Sequence, residues 1–157
     1  MKHYLFDQLY FVRNNTLNEL ADVTDSLSDI IPAGFNNNIK WNAGHIFFIQ
    51  EKFSFHFAGE EMSITEEFSK LFCSGSKPEE GNSNVPSIMD IKEMLSKQVE
   101  RIEKNFKHRL KEISPIGGYT TSKGLPLSSV EEFLSFCLYH EGMHFEKIKL
   151  LKKMLNA

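Results

Sequence analysis

The sequence predicts an all-α protein, a four-helix bundle, and three observations carry that prediction. Apolar residues recur at steps of three and four in four long segments, the spacing of a helix with one buried stripe. Polar capping residues stand just before several of these segments. A link of about thirty residues separates the second segment from the third, enough to cross a bundle lengthwise and leave those two helices parallel. With 157 residues, one domain over 1–157 is expected, large enough to bury a core without staples.

The first helix is expected over 4–27, with Leu5, Leu9, Val12, Thr16, Leu20, Val23 and Leu27 as its stripe. The second runs over 39–58 behind Asn37 or Asn38 as cap. Within it "FSFHF" alternates as a strand would. Phe53 and Phe57 are also four apart, and the preceding pattern is helical, so the segment is read as helix. A short helix in "TEEFSKLF" and a polar loop, "CSGSKPEEGNSN", fill the long link. The third helix spans 88–110, opened by a capping box of Ser87 and Asp90. The fourth spans 130–155, opened by Ser128 and Glu131. No sheet is expected. The 14 phenylalanines indicate a core of large aromatic side chains.

Composition excludes several classes. Lys and Arg total 18 against 21 Asp and Glu, a net charge of -3, which offers no broad basic field for nucleic acid. The N-terminal stretch has no apolar run suited to a signal peptide or membrane span. Cys73 and Cys137 make no disulfide framework, and both are expected reduced in a cytoplasmic protein.

The chemistry concentrates near the C-terminal end, in "YHEGMHFEKI". His140 and His144 are four apart, so they stand on one helix face, and that face is the apolar seam between Cys137 and Ile148. Two unpaired imidazoles facing a core cost several kcal/mol (~2–7 each for a buried polar group), so they require a ligand or hydrogen-bond partners. Imidazole pairs suit zinc, nickel, copper or iron. His45 sits in a comparable stripe, one turn from Trp41 and from Phe48 and Ile49. The adjacent Gly44 permits a close helix contact or a local distortion. If the second helix faces the fourth, His45, His140 and His144 form an open three-histidine metal site. His3, His56 and His108 lack such surroundings and are expected at the surface. Cys137, one turn from His140, reads as a small hydrophobe rather than a ligand.

The H-E-x-x-H string also marks zinc proteases. Those take a third ligand from further along the chain. Leu150 stands where one class has histidine, and the thirteen residues after His144 continue the same helix, which disfavours a protease. Glu141 is rotated about 100° from His140, off the centre of the seam, where it orients a ligand or faces solvent or a partner subunit.

Together, "WNAGHI" and "HEGMHFEKI" resemble the DinB-like superfamily of small bacterial proteins, with W-x-x-G-H in the second helix and H-x-x-x-H in the fourth. The resemblance covers the whole chain, including the long crossover. It implies an up-down-down-up bundle, one divalent metal (zinc or nickel foremost) on His45, His140 and His144, and a homodimer. Several relatives are metal-dependent transferases that join low-molecular-weight thiols such as bacillithiol to small electrophiles, and one branch is a maleylpyruvate isomerase. Many members continue after the second histidine with R-G-Q-I, where this chain has Phe145-Glu146-Lys147-Ile148. On this reading Tyr139 and Glu141 are candidates for proton handling, and Trp41 and Phe48 wall the pocket. The alternative is a non-catalytic metal-binding or stress-related interaction protein.

Overall fold

The apolar stripes fold into helices in the computed structural model, which describes residues 3–79 and 81–156. The single domain expected over 1–157 includes Met1, Lys2, Glu80 and Ala157, which lie outside the described residues, and Glu80 also falls in the expected polar loop. The chain is mostly helical: α1 Tyr4–Leu20, α2 Asp25–Ser28, α3 Ile39–Glu51, α4 Glu66–Phe72, α5 Ile88–Phe106 and α6 Val130–Leu155. Helix α1 packs against α5 and α6, and α3 packs against the same two helices from the other side. Phe6, Leu9, Ile46, Ile91, Leu95, Ile102, Phe106, Phe133 and Ile148 fill the space between them. Each such side chain contributes ~1.5–3 kcal/mol by leaving water.

Capping chemistry explains where the elements begin. Asn38 accepts the Trp41 amide at 2.7 Å and opens α3. Ser87 and Asp90 form a reciprocal capping box on α5. The corresponding box on α6 lies one residue later than expected. Ser129 and Glu132 form it, while Glu131 reaches out to Lys111. Both serine–glutamate pairs fit the motif, and backbone contacts decide between them. The Val130 and Glu131 amides are taken by the carbonyls of Glu112 and Leu110, which sets the helix start at Val130.

The first helix is shorter than expected. It stops at Leu20 because Thr24 caps the separate turn α2, and Asp25 there accepts the Ile88 amide at 2.8 Å and pairs with Lys40. "FSFHF" is helical, but as a π-helical turn over Lys52–His56. The wider turn admits Phe53, Ser54, Phe55 and Phe57 to the interior together, which accounts for the strand-like alternation. Phe57 stacks on Phe133 at 4.6 Å, and Phe55 meets Phe106 at 5.2 Å.

One expectation fails outright: a small sheet does form. The loop before α6 folds into an antiparallel hairpin of β1 (Tyr119–Thr120) and β2 (Pro126–Leu127), closed around Gly124 at φ +87. A residue in that left-handed region is most readily glycine. The hairpin lays Tyr119 against Phe53 and Phe57, so it covers the aromatic end of the core. Among the described residues no helix is long and apolar enough to cross a membrane.

Candidate metal centre

Helices α3 and α6 bring His45, His140 and His144 together, with one donor nitrogen from each lying within 4.8 Å of the others. His45 and His140 bring their Nε2 atoms to 3.2 Å. Bonds of ~2.1 Å at tetrahedral angles place neighbouring nitrogens ~3.4 Å apart, a spacing that the His45–His140 pair matches, with the remaining donors within 4.8 Å.

The ring orientations are set from behind. His45 Nδ1 lies 2.7 Å from the Phe72 carbonyl oxygen, an acceptor only, so Nδ1 carries the proton and Nε2 keeps its lone pair. The Asn42 amide nitrogen donates to the Asn38 carbonyl at 2.7 Å and to Asn37 Oδ1 at 3.1 Å. Its Oδ1 is thereby turned to His144, whose Nδ1 donates to it at 2.8 Å. Two of the three imidazoles thus expose Nε2 for coordination, through the kind of supporting bond that metal-ligating histidines generally make.

Electrostatics keep all three neutral. Burial pushes His45 below its ordinary range, and the nearby Lys147 ammonium adds to the effect against the Phe72 hydrogen bond. Burial, then the neighbouring His144 and His45, brings His140 down to about 2. Burial, then His45 and Lys147, brings His144 down to about 3. Neutral imidazole is the metal-binding form, so the donor set fits a divalent cation at neutral pH without prior loss of protons.

The local sequence has a physical reason at each position. Trp41 stacks on His45 at 4.6 Å with the planes 12° apart, shielding one face of the ligand ring. Gly44 leaves room for Phe72, whose ring edge lies 2.3 Å from where a β-carbon would stand. Without that room α4 could not bring its last carbonyl to His45. Trp41 also lines a cleft of ≈ 740 Å³ that combines apolar Ile30, Leu71 and Phe72 with charged Asp29, Lys40 and Lys77. Phe48 is buried in the core cluster.

The other residues singled out in the sequence lie elsewhere. His56 and His108 are exposed, and His3 is exposed at the start of α1, accepting the Leu5 amide. Cys137 is buried, which pushes its thiol up, and it is not among the converging donors. Tyr139 is 63 % exposed. Glu141 faces neither solvent nor the three nitrogens. It is buried on the α1 side, paired with Arg13 at 2.9 Å and accepting from Thr16 at 2.8 Å. The glutamate of the H-E-x-x-H string is therefore occupied away from where a zinc protease would need it.

Arg13 was missed by sequence reading. The available signal was its place four residues after Leu9 and three before Thr16, on the buried face of α1. No curated protein matches the chain. A family model for the DinB superfamily matches residues 8–148, and with its three-histidine cluster between α3 and α6 the chain belongs to the DinB superfamily.

Proposed function

We propose that this protein binds one divalent metal, zinc or nickel, on His45, His140 and His144, and uses it to transfer a low-molecular-weight thiol of the bacillithiol kind to a small electrophile. The observation that carries the reading is the convergence of three neutral imidazoles, two of which, His45 and His144, have Nδ1 held by Phe72 and Asn42 so that Nε2 is turned to the centre. A bound ion supplies Lewis acidity, which favours the thiolate or hydroxide form of a ligand near neutral pH. The chain's own residues do the rest. Trp41 excludes water from one side of His45. Lys147 contributes positive potential, which favours an anionic ligand. The Trp41-lined cleft, which mixes apolar residues with Asp29, Lys40 and Lys77, supports a small second substrate with both apolar and polar groups. In the transfer the thiol gives its proton to water, sulfur forms a bond to carbon, and the leaving group departs from that carbon with the bonding pair.

The same reading takes the long helices as an up-down-down-up bundle. Its support is the order of contacts. Arg13 meets Glu141 and Glu19 meets Lys152, so α1 and α6 advance together. Phe47 meets Gln98, Glu51 meets Arg101 and Phe55 meets Phe106, so α3 and α5 also advance together. His45 with His140 and Phe53 with Phe133 run in opposite senses, as do Tyr10 with Glu103 and Arg13 with Leu95. A homodimer belongs to the reading too. Tyr139, Met143, Leu150 and Met154 are exposed on one face of α6, a stripe suited to a second copy. The free cysteines Cys73 and Cys137 support a reducing, cytoplasmic setting.

The test is metal analysis of untagged protein, followed by thiol-dependent turnover of monochlorobimane by the zinc- and nickel-loaded forms. Turnover that needs both thiol and metal is expected. A stoichiometric metal without turnover would leave a non-catalytic metal protein.

A further inference from the structure

The Arg13 guanidinium lies in the middle of the molecule, 2 % exposed, and bonds to three other helices from α1. Nε and Nη2 grip Glu141 of α6 at 2.9 and 3.1 Å. Nη2 also donates to Gln50 of α3 and, at 3.1 Å, to Gln98 of α5, and Nη1 reaches the Leu95 carbonyl at 2.7 Å. Thr16 adds a second tie from α1 to Glu141 at 2.8 Å. Glu141 directly follows His140 on α6, and Gln50 lies five residues after His45 on α3. The two helices that carry the histidines are therefore joined through one planar group.

We propose that Arg13 is a positioning residue for the metal centre. By holding Glu141 with two parallel bonds it fixes the rotation of α6, and by holding Gln50 as well it fixes α6 relative to α3. A fork-to-carboxylate contact is directional, whereas apolar packing tolerates small rotations of a helix. The lever arm is long enough to matter. A side-chain nitrogen ~5–6 Å from the helix axis moves ~1 Å when the helix turns by 10°. Metal bonds tolerate only ~0.2 Å. A buried ion pair is also weak as a source of net stability, since apolar groups of similar volume often serve as well. Beyond satisfying the buried acceptors on Gln50, Gln98 and Leu95, such a group serves to fix geometry. This inference rests on the metal reading above.

The experiment replaces the clamp without leaving a lone buried charge: the double variant Arg13→Met, Glu141→Met, with Arg13→Lys as the charge-preserving comparison. Zinc affinity is measured by competition with a chromogenic chelator. The cobalt(II) d–d spectrum reports ligand geometry, and unfolding of the metal-free proteins reports stability. The double variant is expected to fold, to bind zinc ~10–100-fold more weakly, the range for supporting residues of metal sites, and to show an altered cobalt spectrum. Arg13→Lys, which keeps charge but loses the fork, should fall between. An unchanged zinc affinity and cobalt spectrum in the double variant would overturn the proposal, whatever its stability, and mark Arg13 as purely structural. Failure of the wild-type protein itself to bind zinc or nickel would instead overturn the metal reading, and this inference with it.

Discussion

Alanine at position 44 should damage both stability and metal binding, although alanine is the better helix former. Its β-carbon would stand 2.3 Å from Cε1 and 2.4 Å from Cδ1 of Phe72. Carbon atoms settle at ~3.5–4.0 Å, so the ring must retreat by more than ~1 Å. Phe72 has little freedom to do so, being 2 % exposed and packed on Phe68 at 4.6 Å. Overpacking of this kind costs ~1–3 kcal/mol, against a gain of ~1 kcal/mol from replacing a helical glycine. The retreat also carries away the Phe72 carbonyl that holds His45 Nδ1 at 2.7 Å. Loss of such a bond weakens metal binding ~10-fold or more. Gly142 supplies the internal control. It lies in α6 between His140 and His144, and a β-carbon there meets nothing within 4 Å. Gly142→Ala should therefore gain ~0.5–1 kcal/mol and leave zinc affinity unchanged. Urea unfolding of the metal-free proteins and chelator competition for zinc measure both quantities. If Gly44→Ala is as stable as Gly142→Ala and binds zinc as tightly as wild type, the account of the Trp41–His45 segment is wrong.

Three further outcomes follow from the site. The depressed imidazoles of His45, His140 and His144 stay neutral in the folded chain, while the unfolded chain takes up protons below ~6.5, so their contribution to stability is complete above that pH and is lost as pH falls. At pH 5 the loss reaches up to ~2 kcal/mol for each of His140 and His144, and a flat series of urea midpoints between pH 7.5 and 5 would contradict it. Replacing His45, His140 or His144 with Ala should abolish tight zinc binding, His56→Ala and His108→Ala should not, and the helical circular dichroism of His144→Ala should match wild type. The chain's one tryptophan, Trp41, is stacked on His45, so metal titration should change its emission, with nickel and copper quenching it; an unresponsive emission would place the ion elsewhere.

Much of the site was legible because its signals were local. Two histidines four apart in an apolar seam specify their own face, whereas α3 is buried on all sides and its pattern alone singles out no face for His45. What the sequence hid were relations across helices. The burial of Arg13 depends on Glu141, Gln50 and Gln98, which lie far along the chain, and the inward place of Glu141 depends in turn on Arg13. The hairpin before α6 was hidden because two strands of two residues have no periodicity to detect. The end of α1 was misplaced because Val23 and Leu27 continue its spacing, while Thr24 and Asp25 break it through contacts with Ile88 and Lys40 that lie far along the chain. Ser128 and Ser129 offered the same capping motif in adjacent frames, and only the backbone bonds to Glu112 and Leu110 separate them.

The separation of 95 residues between His45 and His140 bears on the order of folding. Closing a loop of that length costs entropy before any contact across it is made, so the third donor joins the other two only when α3 and α6 have docked. An unfolded chain offers a metal scattered side chains, with His140 and His144 the pair nearest in sequence. The native state offers all three nitrogens at once. An ion bound there would favour the native state over the open chain and so act as a late fastening between distant segments. Such an ion would slow their parting more than it hastened their meeting.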